Sequence, residues 1–326
     1  MAYRQIVKAN DDLRQDSVIS SVFNMMNIIL KRDLQARRRK LSIRTYKIVP
    51  LCPQAGVIEW IENTIPLGDL LKTNHVRIRP KDWTPKKIRQ MMSEQKTINS
   101  KLSAYNDIEK HFKPIFGHIF FEIYRSPYSW FQKRTSYSRS VAAMAIAGYV
   151  LGLGDRHSHN ILFDDSSGEL VHIDLGIAFD QGKLLSTPEV VPFRLTRDIV
   201  HAMGITQTAG VFQKSCQEML RCLRGNSNVL YTLLEVFRHD PLFHWTVSPI
   251  RVAQNPIAML KSTSSLQDDN MNTRTEAQEH AERALLSVKK KLNNGSSIEC
   301  HINELIQAAT DKNFLCRMYA GWEAWL

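Results

Sequence analysis

The chain has 326 residues, of which 43% are hydrophobic and 23% charged, and its 43 Lys and Arg against 32 Asp and Glu give a net charge of +11. This composition supports a buried core of about two domains or lobes, and it excludes a disordered tail and a coiled coil. The longest apolar run, 141–153, is shorter than the roughly 18 residues of a membrane span, and no apolar signal segment follows Met1, so neither an integral membrane protein nor a secreted one is expected.

The N-terminal part of the chain predicts one helix and two strands. Apolar side chains between Ile19 and Leu30 recur at offsets of 0, 3, 4, 7, 10 and 11 residues, which predicts an amphipathic helix over about 15–36. Two β-rich runs, at 42–50 and 56–60, are separated by turn-forming residues and predict strands. Together these elements predict a small α+β lobe.

The rest of the chain is mainly helical in pattern. The segment 66–85 is charged and punctuated by proline, and the apolar run 141–153 is expected to be the central buried helix of a larger lobe. A hairpin is predicted with strands at 160–164 and 169–173. The polar stretch 254–275 lacks periodicity and is predicted to be a mobile insertion. Other helices are predicted at 85–97, 102–112, 196–203, 210–223, 228–238 and 276–292.

One loop carries most of the chemical information. The apolar run ends in Gly-Leu-Gly, and the next residues present Asp155, His157 and Asn160. The predicted hairpin then leads to Asp174 in Asp-Leu-Gly. Phosphoryl transfer needs metal ions on the phosphates, a carboxylate for the acceptor hydroxyl and cations for the developing charge. Asp155 and Asn160 have the spacing of the catalytic Asp and the metal-binding Asn of protein kinases, so the combination predicts a phosphotransfer site, although neither motif alone would.

The two histidines of this loop allow a second interpretation. His157 and His159 alternate along the chain, as ligands of a zinc ion can. No third soft ligand stands near them in the sequence, so a zinc site is disfavoured.

Several motifs share one family resemblance. The loop reads Asp-Arg-His rather than His-Arg-Asp, Lys8 begins Lys-x-x-Asp-Asp-Leu-Arg-Gln-Asp, and the last residues read Gly-Trp-x-x-Trp-Leu. These motifs resemble the phosphatidylinositol 3-kinase-related protein kinases, whose chains close with a FATC tail. Segments between Phe179 and Asp198, among them Thr-Pro-Glu, are most similar to the branch of that family that responds to DNA damage. The resemblance covers essentially the whole chain and implies a two-lobed, protein-kinase-like α+β fold with a larger, mainly helical second lobe.

The resemblance also divides the chain into parts. Only seven residues precede Lys8, whereas a kinase small lobe begins with two strands and a phosphate-covering loop, so the small lobe is expected to be incomplete. We therefore expect weak ATP affinity and little activity from this chain alone, which robust phosphorylation of a Ser-Gln peptide by it would contradict. The parts are a partial small lobe at 1–62, a large lobe with catalytic and activation loops at 63–253, the insertion at 254–275, a C-terminal kinase helix at 276–297 and a FATC tail at 298–326.

The resemblance implies a role for each residue of the predicted site. Asp174 resembles the Asp that binds Mg²⁺, or Mn²⁺ in its place, and Asn160 resembles the second metal ligand. Asp155 resembles the residue that orients or deprotonates the acceptor hydroxyl. His157 resembles a group that stabilises the transferring phosphate.

A second set of residues is implied in ATP binding. Lys8 resembles the lysine on the α- and β-phosphates, with Asp11 or Asp16 as its acidic partner. Asp16 also stands near a helix start, where a capping role is the alternative. The adenine pocket and hinge are expected to include Tyr46, Trp60, Ile61, Leu162 and Ile173.

The sequence favours a protein kinase over a lipid kinase or a catalytically impaired scaffold. A lipid head group needs basic residues in the activation segment, but Lys183 is the one cation between Asp174 and Pro192. A scaffold would not need the full catalytic set. The resemblance implies phosphorylation of Ser or Thr before Gln in a nuclear DNA damage response, with DNA-break sensor proteins as partners and a homodimer of the full-length protein.

The positive charge is concentrated in two segments. Segments 31–47 and 72–101 each carry a net +7, whereas 141–200 has four basic residues against eight acidic ones. Basic runs are usually solvated faces, so these are compatible with acidic partners but give no evidence of direct DNA binding. The five cysteines are scattered without a Cys-x-x-Cys pair, as is typical of a reducing cytosol or nucleus.

Overall fold

The computed structural model describes residues 3–238 and 272–326, which form a small sheet-containing lobe and a large, mainly helical lobe. This is the two-lobed α+β architecture that the resemblance implies. Residues 254–271 of the predicted insertion lie outside the described ranges, while residues 272–275 begin a helix. Within the described ranges, no helix is long and apolar enough to cross a membrane.

The small lobe packs one long helix against one antiparallel sheet. Its strands are β1 (Gln5–Ala9), β2 (Ile48–Cys52) and β3 (Ala55–Glu59), with β3 in the centre. Helix α1 (Arg14–Arg32) buries the apolar stripe that the sequence predicts and packs against β2. Lys8 lies in β1, at the edge of this sheet.

The first predicted helix is interrupted near its end. Helix α1 ends at Arg32, and Asp33 adopts an extended conformation. The Asp33 carboxylate accepts a hydrogen bond from Ala36 N at 2.8 Å and caps a second helix, α2 (Leu34–Arg38). An aspartate that binds the turn following it competes with helix continuation, so the single helix predicted over 15–36 becomes two.

The strand predicted at 42–50 begins only at Ile48. The main chain before it runs along α1, where the Asn27 side chain donates to Ile43 O and accepts from Ile43 N, both at 2.8 Å. These bonds satisfy main-chain groups that a neighbouring strand would otherwise bind, so this segment needs no place in the sheet.

The large lobe holds a second antiparallel sheet and most of the helices. In sheet order its strands are β4 (Thr64–Pro66), β5 (Ile161–Asp164) and β6 (Leu170–His172), of which β5 and β6 are the predicted hairpin. The helices before the hairpin are α3 (Leu67–Ile78), α4 (Pro85–Glu94), α5 (Ile98–His111), α6 (Phe116–Ile123) and α7 (Pro127–Leu151). Those after it are α8 (Arg197–Ala202), α9 (Val211–Gly225), α10 (Ser227–Arg238), α11 (Asn272–Leu292), α12 (Ile298–Thr310) and α13 (Lys312–Leu315). Short 3-10 helices occupy Gln181–Leu184 and Ala320–Trp322.

Helix α7 is the centre of the large lobe. Its residues 141–151 are buried except for Tyr149, and the helix packs chiefly against α9. It begins after Ser126, well before the predicted start of the buried run at 141–153. The earlier turns fall in the part of the chain from Phe116 onward whose pattern is mainly helical, and they are more exposed than the apolar run.

The charged segment 66–85 contains a helix that the sequence pattern does not predict. Helix α3 buries Leu67, Leu70 and Leu71, which have helical spacing. Charged residues and flanking prolines surround this short stripe and hide it from a search for longer amphipathic patterns.

The last residues of the chain belong to the core. Trp322, Trp325 and Leu326 are buried, and the hydroxyl of Tyr105 in α5 donates to Ala324 O at 3.2 Å. The FATC-like tail therefore packs into the large lobe rather than extending from it.

A buried histidine joins helix α12 to two other helices. His301 Nε2 lies 3.0 Å from the hydroxyl of Tyr149 in α7, and Nδ1 lies 2.7 Å from Nη2 of Arg224 in α9. A guanidinium can only donate, so Nδ1 is the acceptor and Nε2 carries the proton. His301 is therefore neutral, and burial together with the charge of Arg224 lowers its pKa.

Acidification is expected to weaken this contact. The folded-state pKa of His301 lies below its ordinary value of 6.5, so the unfolded chain binds a proton that the folded chain resists. The stabilising contribution of His301 is present above about pH 6.5 and is lost as the pH falls towards the folded-state pKa. Denaturant titrations at about pH 7.5 and pH 5.5 should show a smaller loss of unfolding free energy in His301→Gln than in the parent chain. An equal loss in both, with exposed His118→Gln as the control, would contradict the assignment.

Candidate active site

The catalytic loop begins at closely packed glycines. Gly152 ends α7 with a left-handed φ of 61°, and a Cβ at this position would overlap the main chain of Asp180. Two residues later, Gly154 packs against Gly182 and donates from its N–H to Ile177 O at 2.9 Å. The glycines therefore allow a sharp turn from the buried helix into the loop at 155–160.

The structure brings Asp155 and Asn160 into contact. Asn160 Nδ2 donates to Asp155 O at 2.9 Å and lies 3.4 Å from Asp155 Oδ2. Asn160 is buried, whereas Asp155 is half-buried and has a left-handed φ of 56°. Aspartate tolerates this conformation better than most side chains do. The two residues predicted from their spacing thus form one hydrogen-bonded unit.

Arg156 holds this loop against the Asp-Leu-Gly segment. Its side chain is buried, with Nε donating to Gly154 O at 2.7 Å and Nη1 to Ile173 O at 2.8 Å. Nη2 donates to Asp174 O. Sequence reasoning assigned no role to Arg156, although a charged residue inside the motif is a signal that could have identified it. One guanidinium therefore places Asp174 beside the loop that carries Asp155.

The start of α1 contacts the main chain just after Asp174. Asp16 is 2% exposed, and its Oδ1 accepts a hydrogen bond from Leu175 N at 2.6 Å. Asp16 lies in the first turn of α1, where its charge also favours the positive end of the helix. It thus connects the small lobe to the Asp-Leu-Gly segment, a contact that sequence reasoning missed.

Lys8 approaches the same region from β1. Its Nζ lies 2.9 Å from Asp11 Oδ2. Burial alone would lower the pKa of Lys8, but the hydrogen bond to Asp11 and the charges of Asp174 and Asp16 raise it above its ordinary value. Lys8 therefore stays positively charged beside Asp11.

A small apolar cluster lies between the two lobes. The small lobe supplies Leu13, Tyr46, Ile48, Ile58 and Ile61, and the large lobe supplies Leu162, Val171 and Ile173. Burial raises the pKa of the Tyr46 hydroxyl, so it stays protonated. The predicted adenine-pocket residues that meet here are Tyr46, Ile61, Leu162 and Ile173. An apolar surface of this kind suits a planar ring.

Trp60 does not belong to this cluster. Its side chain is 43% exposed, and the Arg4 guanidinium lies 5.6 Å from its ring centroid. Trp60 N donates to Arg4 O at 3.2 Å, so the residue lies beside the beginning of β1. Trp60 therefore lies outside this buried cluster, and its contact with the adenine ring stays a prediction.

His157 and His159 have different surroundings. His159 N donates to His157 Nδ1 at 3.2 Å, so Nδ1 is an acceptor and the neutral ring carries its proton on Nε2. Burial lowers the pKa of His157, and the nearby charge of Asp155 only partly offsets this effect. His159 Nε2 instead lies 3.3 Å from Asp69 Oδ1, at the start of α3.

The donor atoms near Asp174 suit a magnesium ion bound with phosphate. Mg²⁺ keeps several waters or phosphate oxygens and needs only one or two protein ligands, preferably oxygen. Asn160 and Asp174 can supply such oxygens, and Ile173 N donates to Asn160 O at 3.0 Å, which ties their two segments together. Across residues 3–238 and 272–326, no group of three His, Cys, Asp or Glu side chains is placed to hold a metal ion, as a zinc site would require.

A second buried arginine connects the catalytic loop to the tail. Arg194 Nη1 donates to Trp322 O at 2.6 Å, and Nη2 donates to Glu323 O at 2.8 Å. Nη1 also lies 3.3 Å from Arg156 O, in the catalytic loop. Glu323 in turn accepts from Ser158 Oγ at 2.5 Å. Sequence reasoning missed these contacts, because they join residues far apart in the chain.

Two family models match the chain. Residues 2–247 match "Phosphatidylinositol 3- and 4-kinase", and residues 295–326 match "FATC domain". The first match covers most of the chain and includes every predicted site residue.

Curated relatives and a solved structure are similar over nearly the whole chain. "Serine/threonine-protein kinase tel1" of Schizosaccharomyces pombe is 43% identical, over 99% of this chain and 12% of the relative. "Serine-protein kinase ATM" of Sus scrofa is also 43% identical, over 99% of this chain and 11% of the relative. The structure "Complete CtTel1 dimer with C2 symmetry" matches with a TM-score of 0.90 and 42% identity, covering 99% of this chain and 12% of that one. The chain thus spans about an eighth of the length of these proteins.

Proposed function

Because the chain belongs to the phosphatidylinositol 3- and 4-kinase family and carries a FATC domain, we propose that it transfers the γ-phosphate of ATP to a Ser or Thr hydroxyl of a protein. The observation that carries this proposal is the Arg156 side chain, which binds main-chain oxygens of Gly154 and Asp174. These two hydrogen bonds hold the loop of Asp155, the proposed hydroxyl-activating residue, beside Asp174, the proposed metal ligand.

The two loops divide the work of phosphoryl transfer. Asn160 and Asp174 would hold Mg²⁺, which would neutralise charge on the phosphates of ATP. Asp155 accepts the proton of the acceptor hydroxyl or orients that hydroxyl for attack. The hydrogen bond from Asn160 to Asp155 fixes the position of the residue that binds the substrate hydroxyl relative to the residues that bind the metal ion.

Two further side chains act on the phosphates. Lys8 remains charged beside Asp11 and would bind the α- and β-phosphates. His157 is neutral and has its Nε2–H free of the bond that occupies Nδ1, so it can donate to the transferring phosphate. The cluster around Tyr46 and Ile61 would receive the adenine ring.

The activation segment favours a peptide over a lipid acceptor. Lys183 is its one cation before Pro192, and Lys183 Nζ lies 3.2 Å from Asp180 Oδ1. A cation already paired with a carboxylate offers little to an anionic inositol head group. A neutral Ser or Thr side chain needs no such cation.

The relatives suggest the biological setting. Similarity to kinases named tel1 and ATM supports substrates with Ser or Thr before Gln, and a nuclear role in the DNA damage response with DNA-break sensor proteins as partners. The structure titled as a dimer with C2 symmetry supports a homodimer of the full-length protein.

One assay tests this function against its alternatives. A protein that contains residues 1–326 within the length of its relatives is incubated with radiolabelled ATP and either a Ser-Gln peptide, the matched Ser-Ala peptide or phosphatidylinositol vesicles. We expect label mainly in the Ser-Gln peptide, at a kcat/KM at least about tenfold above that for Ser-Ala, which is about 1.4 kcal/mol of discrimination. Label in the lipid would indicate a lipid kinase, and no label in any acceptor would indicate a scaffold.

A further inference from the structure

A carboxylate from the activation segment reaches the catalytic loop. Glu189 Oε1 accepts a hydrogen bond from the main-chain N–H of Asp155 at 2.9 Å. Asp155 is the residue with the left-handed φ of 56°, a conformation that few non-glycine residues adopt. The bond from Glu189 therefore acts on the main chain of the residue that is to activate the acceptor hydroxyl.

Two glycines make room for this carboxylate. A Cβ at Gly154 would lie 2.8 Å from Glu189 Oε2, and a Cβ at Gly182 would lie 2.6 Å from the same atom. The activation segment closes on itself here, because Glu189 N donates to Gly182 O at 3.0 Å. Glu189 thus enters a space that only glycines leave open, between the two segments that it joins.

The surroundings of Glu189 are unfavourable for a charge. Burial raises its pKa to about 7, and the charge of Asp155 acts in the same direction, while the Asp155 N–H bond and Arg156 oppose them. Across the described residues, no Lys or Arg nitrogen forms an ion pair with the Glu189 carboxylate. A glutamate held in such a place without a cation is costly unless its hydrogen bond serves the fold or the reaction.

We propose that Glu189 is a positioning residue for the phosphotransfer described above: by binding the Asp155 N–H, it holds the Asp155 carboxylate in its working orientation. This inference rests on the proposed function. It adds that the orientation of Asp155 depends on how the activation segment folds at 182–189. Glu189 closes that segment through its main-chain N–H and binds Asp155 through its carboxylate.

Loss of the bond should affect the chemical step more than nucleotide binding. Glu189 is not part of the apolar cluster around Tyr46, and its carboxylate contacts the loop at Asp155 rather than at Asn160 or Asp174. A displacement of about 1 Å in a catalytic group can cost about a hundredfold in rate. We therefore expect kcat to fall while the KM for ATP stays nearly constant.

The kinetic test uses three variants of the active protein that contains this chain, with a matched control. Glu189→Ala removes the acceptor and should lower kcat at least about tenfold, with the KM for ATP within about twofold of the parent. Glu189→Gln keeps an oxygen that can accept the same N–H and should retain kcat within about threefold. In Glu189→Asp the side chain is too short to reach the Asp155 N–H, so kcat should fall as in the alanine variant. This third variant keeps the test decisive if Glu189→Ala misfolds. The control is Ser186→Ala, an exposed position in the same segment.

A second measurement does not depend on activity. Hydrogen exchange at the Asp155 amide of the 326-residue chain should be slow in the parent and in Glu189→Gln, and at least about tenfold faster in Glu189→Ala. Equal kinetic losses in the glutamine and alanine variants, an unchanged kcat in the alanine variant or unchanged exchange would each overturn the proposal. A parent that phosphorylates no peptide refutes the proposed function, whereas an active parent with normal exchange in Glu189→Ala refutes only the role of Glu189.

Discussion

Asp174→Ala is expected to abolish phosphotransfer while leaving the fold intact. In the proposed function the carboxylate of Asp174 binds the metal ion, whereas its main-chain oxygen, which Arg156 binds, remains in the variant. Loss of a group that neutralises charge on the transferring phosphate typically costs about 10³-fold or more in rate. We therefore expect at least that loss in a radiolabelled-ATP assay of an active protein that contains this chain.

A second variant separates chemistry from backbone strain. Asp174 has a left-handed φ of 54°, which alanine tolerates less well than aspartate or asparagine. Asp174→Ala should therefore lose about 1 kcal/mol of stability, whereas Asp174→Asn should lose almost none and be equally inactive. Asp165→Ala, an exposed position in the neighbouring hairpin turn, is the control for both activity and melting temperature. Phosphotransfer by either Asp174 variant at a rate near that of the parent would refute the metal-ligand role.

Arg194→Ala is expected to be the most destabilising of these substitutions. Arg194 is 4% exposed, and burial lowers its pKa to about 10, with Glu323 opposing this shift. Its guanidinium donates to main-chain oxygens of Trp322, Glu323 and Leu326, and it lies 4.3 Å from the centroid of the Trp322 ring. Removal leaves these buried oxygens without their donor, and breaking a buried charged contact of this kind costs about 3–5 kcal/mol.

Denaturant unfolding would measure this loss. Arg194→Lys should recover little of the lost stability, because one ammonium group cannot replace a planar guanidinium that donates to several carbonyl oxygens. The matched control is Arg125→Ala, an exposed arginine that should change the free energy of unfolding by less than about 0.5 kcal/mol. Hydrogen exchange at 320–326 should rise in the Arg194 variants before global unfolding, because the tail is released first. A loss below about 1 kcal/mol would show that the tail does not depend on Arg194.

Local patterns of the sequence predicted much of this structure. The apolar stripe of α1 follows from the helix period, and the β5–β6 hairpin follows from two short β-rich runs joined by turn-forming residues. The proximity of Asp155 and Asn160 also follows from local sequence, because both residues lie on one short loop. Asp174 follows a hairpin whose length brings it back to that loop. Where the interactions are local, residues that lie close together in the sequence also lie close together in the structure.

Errors arose where side chains bind partners outside their own segment. The late start of β2 depends on Asn27 in α1. The Asp33 side chain caps the next helix locally, at Ala36 N, and it also pairs with Arg221 of α9, far along the chain. The assignment of Trp60 to the adenine pocket stays a prediction, since its ring is exposed beside Arg4 and outside the buried cluster.

The sequence by itself determined the kinase-like class of this protein and its small and large lobes, and it proposed Asp155, Asn160 and Asp174 as site residues. Only the tertiary structure decided how these residues are held in place. Asp16 meets Leu175 across 159 positions of chain, and Arg194 meets Trp322 across 128. No periodicity extends over such distances, because a hydrogen bond between remote segments exists only after the core has packed and brought its two partners together.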